Sequence, residues 1–282
     1  MYSRAYIEIT NRCNLRCAFC PGTQRPLRDM TAAEFALLAD KLRPVTGYLY
    51  FHIMGEPLLH PHLGDLLSLA AERGFRVCLT TNGTLLPQVL DTLLHAPALH
   101  KVSVSLHSFE GNEGGPDMAA YLAAVWDAAA RLARQGTLAV LRLWNEGGLE
   151  SRNGEILDFL ARACGQPETQ WPDPRPGTRK LGERVFLESA SRFQWPDLQA
   201  AEQSTEFCHG LRSQIGVLCD GTVVPCCLDH EGDLALGNLL TQSLDDILNG
   251  PRARAIYDGF SRRAPTEELC RRCGYAARFN DD

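Results

Sequence analysis

Three cysteines near the amino end of the chain are the residues whose spacing indicates chemistry most directly. They follow a short apolar strand in the pattern Cys13-x3-Cys17-x2-Cys20. Three thiolates on one short loop can bind three irons of a [4Fe–4S] cube. The fourth iron then has no protein ligand, so it can bind a substrate or cofactor and pass one electron into it. The loop therefore predicts radical redox chemistry.

The composition argues against several other classes of function. The chain has 282 residues, a net charge of −6 and scattered basic residues, which do not form a nucleic-acid surface. No apolar run approaches the roughly 18 residues that span a bilayer, and the amino end lacks an export signal. Eleven cysteines, an odd number, then indicate cluster or metal ligands in a reducing cytosol. We therefore expect a cytoplasmic protein without nucleic-acid or membrane partners.

Strand-like and helix-like runs alternate through the first two thirds of the chain. The predicted strands are 4–10, 47–53, 75–81, 100–106, 138–143 and 184–189, and the predicted helices are 32–43, 62–73, 85–95, 117–135 and 153–164. Thr31 and Glu34 predict a capping box at the start of the first helix. The alternation predicts parallel strands with right-handed crossovers, in an open doubly wound sheet or an incomplete barrel. The proline-rich stretch 166–182 is predicted to be a loop without regular structure.

One face of the predicted strands is polar, although a parallel sheet covered by helices is normally apolar on both faces. Side chains alternate along a strand, so the polar residues of each strand share one side. They are Glu8, Thr10, His52, Thr80, Asn82, Ser103, Ser105, His107, Arg142 and Glu188. Leaving such a group buried without a partner costs about 1–3 kcal/mol. A wet, ligand-filled cavity at the carboxyl ends of the strands is therefore favoured, with internal pairing of some groups as the alternative.

The composition changes from Phe193 onward, where cysteines cluster among short strand and helix signals. Six cysteines follow position 165, at 208, 219, 226, 227, 270 and 273. We predict two domains, residues 1–192 and residues 193–282. Asp220-Gly221 predicts a hairpin turn between two short strands of the second domain.

The motifs of the first domain resemble those of the radical S-adenosylmethionine (radical SAM) superfamily. The resemblance lies in the cysteine motif with Phe19 before its third cysteine, and in Met54-Gly55-Glu56-Pro57, which is similar to the family's Gly-Gly-Glu-Pro motif with Met in place of the first Gly. It extends over essentially the whole chain. It implies an α/β fold, a (β/α)6 partial TIM barrel, followed by a small α+β auxiliary-cluster domain with a β-hairpin.

The resemblance also implies cofactors and ligands. Cys13, Cys17 and Cys20 would bind the cluster, and S-adenosylmethionine would chelate its fourth iron. The other implied cofactor contacts are Phe19, Met54, Gly55, Glu56, Pro57, Asn82 and Ser105. The cofactor would be cleaved to a 5′-deoxyadenosyl radical that abstracts hydrogen from a substrate. An external one-electron reductant of the flavodoxin or ferredoxin type would be the partner.

The second domain resembles the auxiliary-cluster domains called SPASM and twitch. Seventeen residues separate Cys208 from Cys226, and Cys270-x2-Cys273 follows. This implies a second [4Fe–4S] cluster on Cys208, Cys226, Cys270 and Cys273, with Cys227 as an alternative to Cys226. A zinc site built from the same four thiolates is the competing interpretation.

A fully ligated second cluster can accept an electron but cannot bind substrate through iron. This favours oxidation of a small polar molecule, in which a base removes a proton; the candidate bases are His107, Glu8, Glu188 and His52. Peptide modification is the first alternative, although the chain starts at its first strand and no leader-binding module is expected. The second is a non-catalytic iron–sulfur electron carrier, which needs neither the Gly-Glu-Pro motif nor a polar cavity.

Overall fold

The computed structural model describes residues 1–112 and 117–279. Its strands are β1 (Arg4–Ile7), β2 (Tyr48–Tyr50), β3 (Arg76–Thr81), β4 (Leu99–Ser105), β5 (Leu138–Glu146), β6 (Thr178–Gly182), β7 (Val185–Ser191), β8 (Gln214–Val217), β9 (Thr222–Val224) and β10 (Gly237–Asn238). Its α-helices are α1 (Ala32–Leu42), α2 (Leu63–Glu72), α3 (Leu86–Leu94), α4 (Met118–Arg134), α5 (Asn153–Cys164), α6 (Leu244–Leu248), α7 (Pro251–Ser261) and α8 (Glu268–Arg271).

The strands form one sheet in the order β10-β9-β8-β1-β2-β3-β4-β5-β7-β6. Neighbouring strands from β1 through β5 to β7 are parallel, and these are the six strands that the alternation predicts. Within the described residues the sheet is not closed, because β10 and β6 are its two edges. The prediction of a partial barrel with helices between its strands is confirmed.

Local signals set the helix boundaries where they were expected. The Thr31 side chain accepts a hydrogen bond from the Glu34 backbone, and the Glu34 carboxylate accepts one from the Thr31 backbone, so the predicted capping box is present. The apolar face of α1 packs against the sheet, where Phe35 meets Phe51 edge to face with ring centroids 5.4 Å apart. Burial of each such side chain contributes about 1.5–3 kcal/mol. Because the apolar faces of strands and helices meet outside the barrel, the polar strand faces are left to line its interior.

The prediction of an irregular loop over 166–182 was wrong for its last five residues. These form β6, which pairs antiparallel with β7 at the edge of the sheet. The last proline of the stretch is Pro176, so the following residues keep the backbone N–H groups that a ladder needs. Gly177, at φ +70°, makes the turn into the strand.

The carboxyl-terminal part continues the same sheet. β8 pairs in parallel with β1 and antiparallel with β9. The predicted hairpin turn is present between β8 and β9, and Gly221 has a φ of +86° in it. The boundary at residue 193 stays a prediction. No helix in the described ranges is both long and apolar enough to cross a lipid bilayer.

Candidate active site

A cavity of about 380 Å³ lies inside the partial barrel. The cysteines Cys13, Cys17 and Cys20 line it together with polar residues from the strands. The predicted inward-facing residues that line it are His52, Thr80, Asn82, Ser105, His107 and Arg142. The alternation of side chains along the strands therefore predicted six polar residues of this wall, whereas Glu8, Thr10, Ser103 and Glu188 are not among its described lining residues.

Backbone and side-chain hydrogen bonds hold the cysteine loop at the cavity. Ala18 donates its N–H to the Gly111 carbonyl at 2.9 Å, and Cys20 donates to the Cys17 carbonyl at 2.9 Å. The Asn112 amide lies 3.2 Å from the Cys17 sulfur. All eleven cysteines are free thiols. Desolvation raises the pKa of Cys13 to about 11, so iron binding at this loop releases protons.

The segment after β2 is tied directly to the cysteine loop. Glu56 donates its backbone N–H to the Arg12 carbonyl at 2.7 Å, and its carboxylate accepts from the Asn82 backbone at 2.7 Å. Burial raises the pKa of Glu56 to about 7. Gly55 has a φ of +76°, and a Cβ there would lie 2.5 Å from the Thr10 carbonyl oxygen. Only glycine fits this approach between two loops.

We expect Gly55→Ala to destabilise the fold and lower the iron content of the reconstituted protein. The left-handed conformation alone costs an alanine about 1–2 kcal/mol, and the backbone clash adds to that. Gly147→Ala is the matched control, because Gly147 has the same φ of +76° with nothing within 4 Å of the added Cβ. Urea unfolding and iron per chain measure both effects. Equal losses in the two variants would contradict a role for close packing at Gly55.

The Glu8 carboxylate makes structural hydrogen bonds. It is fully buried and accepts two hydrogen bonds from Arg25, at 2.7 and 2.8 Å. It also accepts the backbone N–H groups of Met54 and Cys219, both at 3.1 Å. Glu8 is not among the described residues that line the cavity. Its carboxylate therefore joins the cysteine loop, the segment after β2 and the carboxyl-terminal part, and we do not propose it as the base.

The other candidate bases lie closer to the cavity. His107 lines it. The Trp144 backbone N–H donates to its Nδ1 at 3.3 Å, and the Arg142 carbonyl oxygen lies 3.2 Å from the same Nδ1. Burial lowers the pKa of His107, so the ring is neutral at neutral pH. Glu188 lies behind the wall, where its carboxylate is 3.5 Å from Arg142 and 2.6 Å from Arg175.

His52 also faces the cavity but is a poor proton acceptor. Burial and the nearby charges of Arg142 and Lys101 lower the pKa of His52 to about 3. Its Nε2 is 3.4 Å from the Thr80 hydroxyl, and its Nδ1 has no hydrogen-bond partner in the described part of the chain.

A second cavity, of about 250 Å³, lies in the carboxyl-terminal part. Cys208, Cys226, Cys227 and Cys273 line it. Cys270 is close by, since the neighbouring thiols of Cys208 and Cys273 contribute to raising its pKa. In residues 1–112 and 117–279, no three His, Cys, Asp or Glu side chains are arranged to hold a single metal ion.

Cys226 and Cys227 occupy different positions around this cavity. Burial raises the pKa of Cys226 well above its usual value, and the nearby thiols of Cys208, Cys227, Cys273 and Cys270 raise it further. Cys227 lies beside the Tyr6 hydroxyl and lines both cavities. The two cavities share a wall made of Arg4, Tyr6, Cys227, Leu228 and Tyr275.

Comparison with known families identifies both halves of this arrangement. Residues 7–143 match the model of the radical SAM superfamily, and residues 208–274 match the SPASM iron–sulfur cluster-binding domain. The chain belongs to the radical SAM superfamily. Members of this superfamily are enzymes, and radical SAM and SPASM domains bind S-adenosylmethionine and [4Fe–4S] clusters.

Individual radical SAM relatives are similar over different lengths. The tungsten-containing aldehyde ferredoxin oxidoreductase cofactor-modifying protein of Pyrococcus furiosus is 39% identical over 85 residues, which are 29% of this chain and 24% of that protein. The chain matches about a quarter to a third of the length of this and the next curated relatives.

Solved structures share the fold over nearly the whole chain. BtrN in complex with AdoMet and 2-DOIA has a TM-score of 0.63 at 20% identity, covering 97% of this chain and 93% of BtrN. SuiB of Streptococcus suis bound to the precursor peptide SuiA has a TM-score of 0.62 at 15% identity, covering 98% of this chain and 70% of SuiB.

The residues at the first cavity fit the radical SAM cofactors. Three free thiols lie at one cavity beside Phe19, Gly55, Glu56, Asn82 and Ser105, which were the predicted cofactor contacts. Met54 and Pro57 are buried and are not among the described lining residues, although the Met54 sulfur lies 3.9 Å from the Cys20 thiol. The second cavity provides three of the four predicted cluster thiols, with Cys270 adjacent.

The sequence analysis of this radical SAM chain missed residues on the cavity floor and at its mouth. They are Arg4, Tyr6, Tyr50, Lys101, Trp144, Arg192, Phe193, Trp195, Cys227, Leu228 and Tyr275. Alternation could have found some of them, because Arg4 and Tyr6 share the parity of Glu8, and Lys101 shares that of Ser103 and Ser105. The lining residues from the carboxyl-terminal part do not follow any strand alternation that could have predicted them.

Proposed function

We propose that the protein is a radical SAM enzyme that oxidises a small polar molecule and holds two [4Fe–4S] clusters. The observation that carries this proposal is the shared wall between the two cavities. A substrate in the first cavity is separated from the second by single side chains such as Tyr6 and Cys227. This closeness supports transfer of an electron from an oxidised substrate to the second site.

When bound, the first cluster and S-adenosylmethionine would supply the radical chemistry, namely one-electron cleavage of the cofactor and abstraction of hydrogen from the substrate. The residues of the chain would position these cofactors. Cys13, Cys17 and Cys20 would hold the first cluster, and Cys208, Cys226, Cys270 and Cys273 the second. The barrel wall excludes water from the substrate, which protects a reactive species from side reactions.

His107 is the proposed proton acceptor for the oxidation. It lines the cavity, and its lowered pKa keeps it neutral. Its Nδ1 can either donate to the Arg142 carbonyl or accept the Trp144 backbone N–H, and in the tautomer that donates, Nε2 has the free lone pair that can take a proton. Glu188 is a weaker candidate, because both of its oxygens lie near guanidinium groups.

Peptide modification is the second candidate function, and the fold shared with SuiB bound to its precursor peptide supports considering it. The cavity of about 380 Å³ would hold the first cluster and S-adenosylmethionine as well as the reacting part of the substrate, so its volume favours neither candidate. Electron transfer without catalysis explains neither this cavity nor the Gly-Glu-Pro segment at its wall.

The test is anaerobic reconstitution of the wild type and of Cys270→Ala/Cys273→Ala, with iron counting and Mössbauer spectra. We expect about eight irons in the wild type and about four in the variant, which should still release 5′-deoxyadenosine from S-adenosylmethionine under dithionite. Bound zinc at the second site would contradict the oxidation proposal. Loss of all cofactor cleavage in this variant would contradict the assigned roles of the two sites.

Cys226→Ser is expected to lose the second cluster, whereas Cys227→Ser is expected to retain it. Cys226 lies among the other three thiols, while Cys227 borders the substrate cavity beside Tyr6. Iron per chain separates the two variants, which differ at adjacent positions and so serve as mutual controls. The reverse pattern would make Cys227 the ligand.

A further inference from the structure

The wall of the substrate cavity carries an excess of positive charge. Four cationic side chains line it, those of Arg4, Lys101, Arg142 and Arg192. Within the described residues, Glu56 is the one carboxylate in that lining, and its oxygens accept backbone N–H groups of Asn82 and Leu58. The cavity as a whole is therefore suited to an anion.

Two of these cations lie together on the floor. The Arg4 guanidinium carbon is 5.5 Å from the centroid of the Tyr50 ring, and the Lys101 ammonium nitrogen is 5.4 Å from the same centroid. Arg4 is the first residue of β1 and Lys101 lies in the first half of β4, whereas the cysteine loop follows the carboxyl end of β1. Tyr50 itself lines the cavity.

Neither floor cation has an anionic partner. In the part of the chain that the structure describes, no carboxylate lies within ion-pair distance of Lys101 or Arg4. By contrast, Arg142 is 3.5 Å from Glu188. A half-buried lysine without a counter-ion is costly, so a ligand that supplies one would be bound favourably.

The lowered pKa values of Lys101 and His52 are consistent with an excess of positive charge at this end of the cavity. The pKa of Lys101 is lowered, first by burial and then by the charge of Arg142. The same two cations contribute to the low pKa of His52, which leaves that ring neutral and unable to supply a negative or positive partner. Glu188 is close enough to act on Lys101 weakly, but Arg142 and Arg175 already share its charge.

We propose that Arg4 and Lys101, which both lie against the Tyr50 ring, bind an oxyanion group of the substrate, a phosphate or a carboxylate. This inference rests on the proposed function, because it names the substrate class of the same cavity. In this arrangement the two cations bind the oxyanion end of the substrate, and the other end of the substrate points toward the cysteine loop. The substrate is then a small anionic molecule rather than an amine.

Calorimetric titration of the reconstituted protein, saturated with S-adenosylmethionine, tests the proposal with two probes, inorganic phosphate and malonate. We expect one of them to bind to the wild type, and Lys101→Met or Arg4→Met to weaken that binding about tenfold, the loss of one charged hydrogen bond. Arg131→Met on the exposed side of α4 is the control and should bind as the wild type does. Binding of phosphate alone assigns a phosphate, and binding of malonate alone a carboxylate.

Binding of neither probe, or equal binding by Lys101→Met and the control, would overturn the inference. Probe binding that occurs only in protein without S-adenosylmethionine would also overturn it, since the cations would then serve the cofactor. Lys101→Gln and urea unfolding guard against a variant that fails to fold. The proposed function fails separately, through loss of iron or of cofactor cleavage, and neither readout depends on the probes.

Discussion

Replacing Cys13, Cys17 and Cys20 together by alanine is expected to remove about half of the bound iron, roughly four of eight atoms, and to abolish 5′-deoxyadenosine formation. The three thiols line one end of the substrate cavity and are free. Without them no iron is held beside Gly55, Glu56 and Asn82, so S-adenosylmethionine has no electron donor within reach.

The measurement is iron per chain together with 5′-deoxyadenosine released under dithionite. Cys164→Ala is the matched control, because Cys164 ends α5, is not among the described residues that line either cavity, and donates its thiol to the Ala161 and Gln166 carbonyls. That variant should keep full iron and full cleavage. A triple variant that still cleaves S-adenosylmethionine would show that the electron enters elsewhere, and the proposed function would then fail at its first step.

Glu8→Gln is expected to destabilise the protein by about 3–5 kcal/mol, the cost of breaking one half of a buried ion pair. The amide keeps the volume but removes the charge that Arg25 faces at 2.7 Å. It also turns one acceptor into a donor where four N–H groups converge, including those of Met54 and Cys219. Because these groups belong to different segments, we expect iron content to fall as well.

Urea unfolding of the reconstituted protein measures this effect, with Asp40→Asn as the control. Asp40 also loses an ion pair, to Arg73 at 2.8 Å, but its side chain is 62% exposed. Exposed pairs contribute about 0–1 kcal/mol, so this variant should unfold close to the wild type. Equal unfolding midpoints for the two variants would mean that Glu8 does not hold the segments together.

Two predictions from the sequence, for Glu8 and for the proline-rich stretch, were incomplete. Glu8 was correctly placed on the polar face of the first strand, but alternation does not reveal that Arg25 and the Cys219 backbone fill that place. The proline-rich stretch 166–182 was predicted to be irregular, but it contains a short 3₁₀ helix at Glu168–Gln170. Its last residues become β6 because β7 offers them an edge, and that edge exists only in the folded sheet.

The order of the elements, the capping box at Thr31 and the approach of three cysteines to the Gly-Glu-Pro segment follow from the sequence alone. These features depend on short-range periodicity and spacing, since helix and strand side chains repeat over a few residues. Loops after neighbouring parallel strands must also meet at one edge, so the cysteine loop and Glu56 were predictable neighbours.

Only the tertiary structure shows which residues lie across the cavity from the cysteine loop and Glu56. β8 joins the sheet beside β1, although about 200 residues separate them, and this brings Cys227 and Tyr275 against Tyr6 as a wall between two cavities. Arg4 and Lys101 approach the same Tyr50 ring for the same reason, since they belong to strands far apart in the chain. Such contacts depend on which surfaces close over one another, and no local pattern of residues encodes that.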